Sequence, residues 1–222
     1  MATLALEFST SRRSAALLSG DPAGAGSLAE ASDSTEPRRG TGAFALMARV
    51  LEKAGIARSH VTSLAVGLGP GSYTGIRAAI SIAQGWEAAT GLTLIGVPSH
   101  EALAAGIHAT GWRGRVTLAF DAQRGELYAA RYRITTTGPE IDEPLRLASP
   151  QEVARRIQEG ERVVGPDLER LLPEAEALHP DAAVIARLAA RGRTRTPGAE
   201  LQPIYLREVE FKKIAQPPSS PG

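Results

Sequence analysis

Four glycines and a serine pose the first chemical question. In the stretch VGLGPGSYTGIRAAISIAQG, Gly67, Gly69, Gly71 and Gly75 bracket Ser72, and an apolar run starts at Ile76. Glycine lets the backbone take positive φ, so successive N–H groups can converge as a nest at a helix N-terminus, where the helix dipole favours an anion. Gly69, Gly71 and Ser72 are therefore candidate phosphate contacts that need no basic side chain. The same glycines also suit a tight strand-to-helix turn whose helix packs closely on a neighbour, and the residues alone leave both readings open. The segment is not a Walker loop, because no Lys stands before Ser72, and it is not a dinucleotide fingerprint.

Two carboxylates could meet such a phosphate through a metal. Glu7 and Asp121 each end an apolar run and are each followed by a polar turn and a second apolar run, so they hold equivalent places. A hard cation bridging to phosphate takes carboxylate oxygens; alternatively each acid only caps its turn. His60, His100, His108 and His179 contain no i, i+4 pair and the chain has no Cys, so zinc spacing is missing and the histidines are expected on surfaces or loops. No G-x-S-x-G elbow occurs, which makes Ser72 a helix cap rather than a nucleophile. Arg12 with Arg13, Arg38 with Arg39, and Arg191, Arg193 and Arg195 are short basic clusters that either touch RNA phosphates or lie in solvated loops.

The elements that must position these residues follow from periodicity. TLALEF and SAALLSG read as paired strands closed by Gly20, with SLAEAS a third. Phe44, Met47, Val50, Leu51 and Ala54 share a helical stripe, which predicts a helix from Ala43 to Ala54 stopped by Gly55. VTSLAVG is a buried strand that feeds the glycine loop, Tyr73 to Thr90 is a second helix ended by Gly91, and LTLIGV is the next strand. The pattern then restarts: LAFDAQRGELYAARY matches LALEFSTSRRSAAL as strand, acid, turn and strand, and PLRLA is a third strand. Ser149, Pro150 and Glu152 make an N-cap, a first helical position and a capping box for a helix ended by Gly160. RVVG is a strand, and Asp181 to Arg191 a helix stopped by Gly192.

A unit of strands and helices written twice predicts an α/β protein of two duplicated subdomains, each a mixed sheet flanked by helices, as in the actin, hexokinase and Hsp70 (ASKHA, RNase H-like) superfamily. The expected boundaries are 1–97 for the first, carrying the glycine loop, 98–213 for the second, whose last segment packs back on the first, and 214–222 for a disordered tail. A formal net charge of +1 over 222 residues gives no global field to recruit nucleic acid or membrane. No signal peptide and no apolar run of about 20 residues is present, so the expected compartment is the cytoplasm, without a membrane partner.

The stretch AVGLGPGSYTGIRAAISIAQGWEAATGLTLIGVPSHEALA resembles the bacterial TsaB family, and LALEFST, AFDAQRGELYAARY and QPIYLREVEFKK extend the resemblance, in order, over nearly the whole chain. The resemblance implies a non-catalytic accessory subunit in making threonylcarbamoyladenosine beside the anticodon of tRNA. It implies TsaD as heterodimer partner and catalyst, TsaE as the ATPase that joins them, tRNA contact only through the complex, and ATP or ADP there alone, with no cofactor required. Two departures stand out: Glu7 replaces the family's usual Asp, and Gly40 replaces a His at the entrance to the first helix. The runner-up is an ATP-dependent kinase or phosphotransferase of the same superfold, against which DAQRG offers no second glycine-rich loop.

On the accessory-subunit reading the glycine loop mainly launches an interface helix. Gly75, Ala79, Ile82, Ala83 and Trp86 on one stripe, Ile76 and Ile80 on the next, and Phe44, Met47 and Leu51 on the first helix form the expected partner surface. Small residues at Gly75 and Ala79 would let a TsaD helix approach closely, and the same patch would form a homodimer in TsaD's absence.

Overall fold

The computed structural model describes residues 1–20, 26–33 and 42–206. The expected tail, Arg38 with Arg39, and Gly40 lie outside the described residues.

Two five-stranded mixed sheets carry the chain. In the first, β1 (Ala2–Glu7) pairs antiparallel with β2 (Arg13–Ser19), which pairs antiparallel with β3 (Ser27–Asp33). On its other side β1 runs parallel to β4 (Ser63–Gly67), and β4 parallel to β5 (Thr93–Val97). The order β3-β2-β1-β4-β5 recurs in the second sheet as β8 (Pro139–Ala148), β7 (Leu127–Ile134), β6 (Gly114–Asp121), β9 (Arg162–Gly165) and β10 (Glu176–Ala177), with the same strand senses. This is the duplicated ASKHA-like topology that the repeated strand pattern predicts. Parallel neighbours need crossovers, and helices supply them. α1 (Ala43–Ala54) joins β3 to β4, α2 (Tyr73–Thr90) joins β4 to β5, and α4 (Pro150–Gln158) joins β8 to β9.

One helix was not legible: Ser99–Ala109 is α3, lying between the two sheets in sequence and in space. Ala102 joins the apolar layer against the first sheet, while Leu103, Ala104 and Ile107 join the layer against the second. α5 (Ala182–Ala190) comes late in the chain yet packs on β1 and β2, where Ala182, Ala183, Ile185, Ala186 and Ala189 meet Ala5, Ala16, Ala65 and Ile95. The first sheet is thus covered by α1 and α2 on one face and by α5 with α3 on the other.

The caps behave as small polar residues require. Ser149 accepts from the Glu152 amide and Asp181 from the Ala183 amide, each satisfying a free helix N–H. The expected capping box is only half formed, because the Glu152 carboxylate turns instead to Arg146 and Arg156. Those arginines belong to a network on the second sheet in which buried Arg156 reaches Thr117 Oγ1 at 3.0 Å and Glu143 at 2.8 Å, while Arg131 bridges Glu143 and Glu161. The arginines hold the Glu143 and Glu152 carboxyls below the usual glutamate range.

Candidate functional site

The glycine loop closes on the turn after β1. A Cβ at Gly75 would lie 2.0 Å from the Phe8 carbonyl oxygen, and one at Gly71, whose φ is +145°, 2.0 Å from that of Ser9. Backbone therefore meets backbone at both positions, and only glycine fits. The contact is cemented by the Ser72 amide, which donates to the Ser9 carbonyl at 2.7 Å. Ser72 also caps α2 by accepting from the Gly75 amide. The Gly69 amide donates to Ser99 Oγ at 3.0 Å, and the Ser99 amide to the Gly69 carbonyl at 2.8 Å. Of the two readings left open, close packing is the one realised: Gly69 and Ser72 spend their amides inside the chain.

Glu7 is fully buried, which corrects its place as a ligand-facing acid. Its Oε1 accepts from the Ser9 amide and its Oε2 from the Ser99 hydroxyl, each at 2.7 Å. Burial pushes the Glu7 carboxyl above the usual glutamate range, opposed by the hydrogen bonds from Ser9 and Ser99. Gly67 makes room for the longer acid, since a Cβ there would lie 2.0 Å from Glu7 Oε2. Glu7 therefore pins the β1 turn, the glycine loop and the start of α3 together. Asp121, at the equivalent end of β6, is half-buried and caps its own turn, its Oδ1 accepting from the Gln123 amide at 2.6 Å. The equivalent acids share a register position but no common ligand geometry.

The other candidates fall out separately. His60 is exposed and His179 contacts Thr10 Oγ1 at 3.1 Å, but His100 corrects the surface expectation. It is buried, with Nδ1 2.7 Å from the Tyr132 hydroxyl, and burial lowers its pKa. No cluster of three His, Asp or Glu suited to a metal occurs among the described residues. Of the basic clusters, Arg12 pairs with Asp181, Arg193 with Glu101 and Arg195 with Glu87.

The expected partner stripe on α2 is also corrected. Gly75, Ile76, Ala79, Ile80, Ala83 and Trp86 are buried against the first sheet, together with Met47 of α1. Their side chains serve this chain's own core, because the small residues receive the Phe8 and Ser9 backbone rather than a foreign helix. Leu51 and Ile82 are half-buried, and Phe44 is 71% exposed. The free stripe of α2 is its neighbour: Thr74, Ala78, Ile82, Gly85 and Ala89 recur at three- and four-residue spacing, with Thr74, Gly85 and Ala89 exposed. Nothing lies within 4 Å of a Cβ built on Gly85. At the head of α2, Tyr73 is 56% exposed and stacks with Tyr205 at 5.4 Å, where Arg77 covers its ring. Periodicity showed that α2 is apolar on two sides, but not which side its own sheet would take.

Residues 196–206 return along the first sheet. Thr196 donates to the Leu94 carbonyl, Gln84 to that of Gly198, and Ile204 to that of Leu68, while Leu201 is buried beside Gly96.

Comparison with known proteins converges on one family. A family model described as "TsaD: tRNA N6-adenosine threonylcarbamoyltransferase" matches residues 43–187. The tRNA threonylcarbamoyladenosine biosynthesis protein TsaB of Escherichia coli is 34% identical over 187 residues, covering 74% of this chain and 79% of that protein. Its counterpart in Haemophilus influenzae is 27% identical, covering 74% and 78%. The solved structure of YeaZ from Pseudomonas aeruginosa superposes with a TM-score of 0.73 at 26% identity, covering 92% of this chain and 100% of that one. Another structure, of a protein described as similar to peptidase YEAZ from the same organism, gives a TM-score of 0.76 at 26% identity, covering 93% and 99%. The model bears a transferase's description, but the curated relatives that match at length are TsaB proteins, and they carry the glycine loop region, both sheets and the late helix together. This chain belongs to the TsaB family.

Proposed function

We propose that the chain is a non-catalytic partner of TsaD in forming threonylcarbamoyladenosine beside the anticodon of tRNA. Its similarity to the E. coli threonylcarbamoyladenosine biosynthesis protein supports the pathway. The observation that carries the accessory role is the closed glycine loop. Its Gly69 and Ser72 amides and the Glu7 carboxylate are already bonded within the chain, which supports a scaffold over a kinase or phosphotransferase. TsaD docks on the free stripe of α2 through Ala78, Ile82, Gly85 and Ala89, with Phe44 at the start of α1; small residues there allow a helix to come close. The same face pairs two copies when TsaD is absent. TsaE and tRNA join through the complex, nucleotide is bound only there, and the chain works in the cytoplasm; among the described residues no helix is long and apolar enough to cross a membrane.

Co-purification with TsaD tests the proposal. Gly85→Arg, a bulky charge on the free stripe, is expected to lose TsaD while keeping its circular dichroism spectrum and melting temperature. A folded Gly85→Arg chain that still retains TsaD would move the interface elsewhere. Ala79→Arg is expected to unfold, because Ala79 has no exposed surface. Alone, the chain is expected to hydrolyse ATP no faster than buffer; turnover that disappears in Asp121→Ala would defeat the accessory reading.

A further inference from the structure

Three consecutive residues of the β1–β2 turn are held by the segment that follows β9. Thr10 Oγ1 meets His179 Nδ1 at 3.1 Å, and Arg12 pairs with Asp181 at 3.3 Å. Between them, Ser11 donates twice to one carboxylate: its amide to Asp167 Oδ2 at 2.9 Å and its hydroxyl to Asp167 Oδ1 at 2.5 Å. Asp167 reaches this position from a left-handed backbone, with φ 55°, a region that side-chain-bearing residues seldom occupy, though Asp does so more readily than most. Both Ser11 and Asp167 are exposed, so solutes have access to the contact.

An amide and a hydroxyl aimed at two oxygens of one anion, with a guanidinium on the next residue, suit a tetrahedral oxyanion as well as they suit a carboxylate. We propose that Ser11 and Arg12 form an anion site that the chain's own Asp167 keeps closed, and that a phosphate group is the ligand class it takes when Asp167 withdraws. The glycine loop has no part in this site, since its bonded amides face the Phe8 and Ser9 backbone. An entering phosphate exchanges with Asp167 for the two Ser11 donors and competes with Asp181 for Arg12. It thereby releases the middle one of three ties between the first sheet's turn and the chain leaving the second sheet. The inference is independent of the TsaD interface, which lies on another face of α2.

Inorganic phosphate is the probe, titrated against the full chain by calorimetry and by the Ser11 amide resonance, with chloride at matched ionic strength as reference. Asp167→Ala is expected to bind phosphate at least about tenfold more tightly than the native chain, and Asp167→Asn, which retains the side-chain shape, to move in the same direction. Adding Ser11→Ala to either variant is expected to return affinity to the native level. The proposal is overturned if both Asp167 variants fold and bind phosphate no better than the native chain. It is equally overturned if the gain survives Ser11→Ala, because the effect is then the loss of a surface charge and not the opening of a site.

Discussion

The same substitution at two glycines of α2 should move stability in opposite directions. In Gly75→Ala the new methyl lands 2.0 Å from the Phe8 carbonyl oxygen, so the helix must retreat by about 1 Å or more to reach contact distance. That retreat stretches the 2.7 Å bond from the Ser72 amide to Ser9 and loosens Ile76 and Ala79 in the core. Overpacking against backbone costs about 3 kcal/mol, the upper end for inserted methyls, and the lost hydrogen bond about 1. The better helix propensity of alanine returns up to about 1 kcal/mol, leaving a net loss of about 3. For a chain of this size that lowers the melting temperature by about 6–12 °C. Gly85→Ala meets nothing within 4 Å and sits on an exposed face, so only the propensity gain remains, about 0.5–1 kcal/mol of added stability. Equilibrium urea unfolding followed by circular dichroism and by fluorescence, which buried Trp86 reports from the same helix, measures both. If the two variants shift in the same direction, or Gly75→Ala stays within about 0.5 kcal/mol of the native chain, the close-packing account of the glycine loop is wrong.

Arg156→Ala should destabilise by about 2–3 kcal/mol in urea titrations, less than for a fully buried pair because Glu143 and Glu152 keep part of their surface in water. Glu7 and this network should pull stability in opposite directions with pH. The raised Glu7 contributes stability that is full below the ordinary glutamate value of 4.5 and is lost as pH rises through its higher folded-state value. The depressed Glu143 and Glu152 contribute above 4.5 and lose that contribution as pH falls. Relative to Glu7→Gln, the native chain should therefore lose stability as pH rises above about 4.5; urea midpoints of both chains across that range would expose a flat or reversed difference. Ending the chain at Gln202 removes the Ile204 bond to Leu68 and the Tyr73–Tyr205 stack, and should cost about 1–2 kcal/mol in the same assay.

The fold was legible wherever a local signal matched the tertiary outcome. Gly55 and Gly91 end α1 and α2 in left-handed caps, and Ser149 starts α4, because stops and caps depend on nearby backbone alone. The strand–acid–turn–strand repeat fixed the duplication for the same reason. α3 escaped because its two sides meet two different apolar layers, which leaves SHEALAAGIHA without a clean polar stripe, and because Pro98 offers no side-chain cap. The site was harder to read. Gly75 and Ala79 are small for the sake of a close neighbour, and composition shows only that some neighbour is near; the Phe8 backbone, remote in sequence, is the one that arrives. Glu7 ends a strand as Asp121 does, but its depth depends on Gly67 and Ser99 closing over it. Ser11 and Asp167 stand 156 positions apart, and no spacing rule joins them.

The position of α5 has a consequence for how the chain is made. The five strands of the first sheet leave the ribosome first, yet the apolar side formed by Ala5, Ala16, Ala65 and Ile95 has no α5 to cover it until Ala182–Ala190 has been synthesised. At roughly 5–20 residues per second, that side waits on the order of ten seconds while the second sheet is being built. A nascent chain in that interval presents a sticky half-sandwich, and one natural protection is a holding chaperone. A gene cut after the first sheet would make that interval permanent, yielding a fragment that aggregates rather than a small autonomous module.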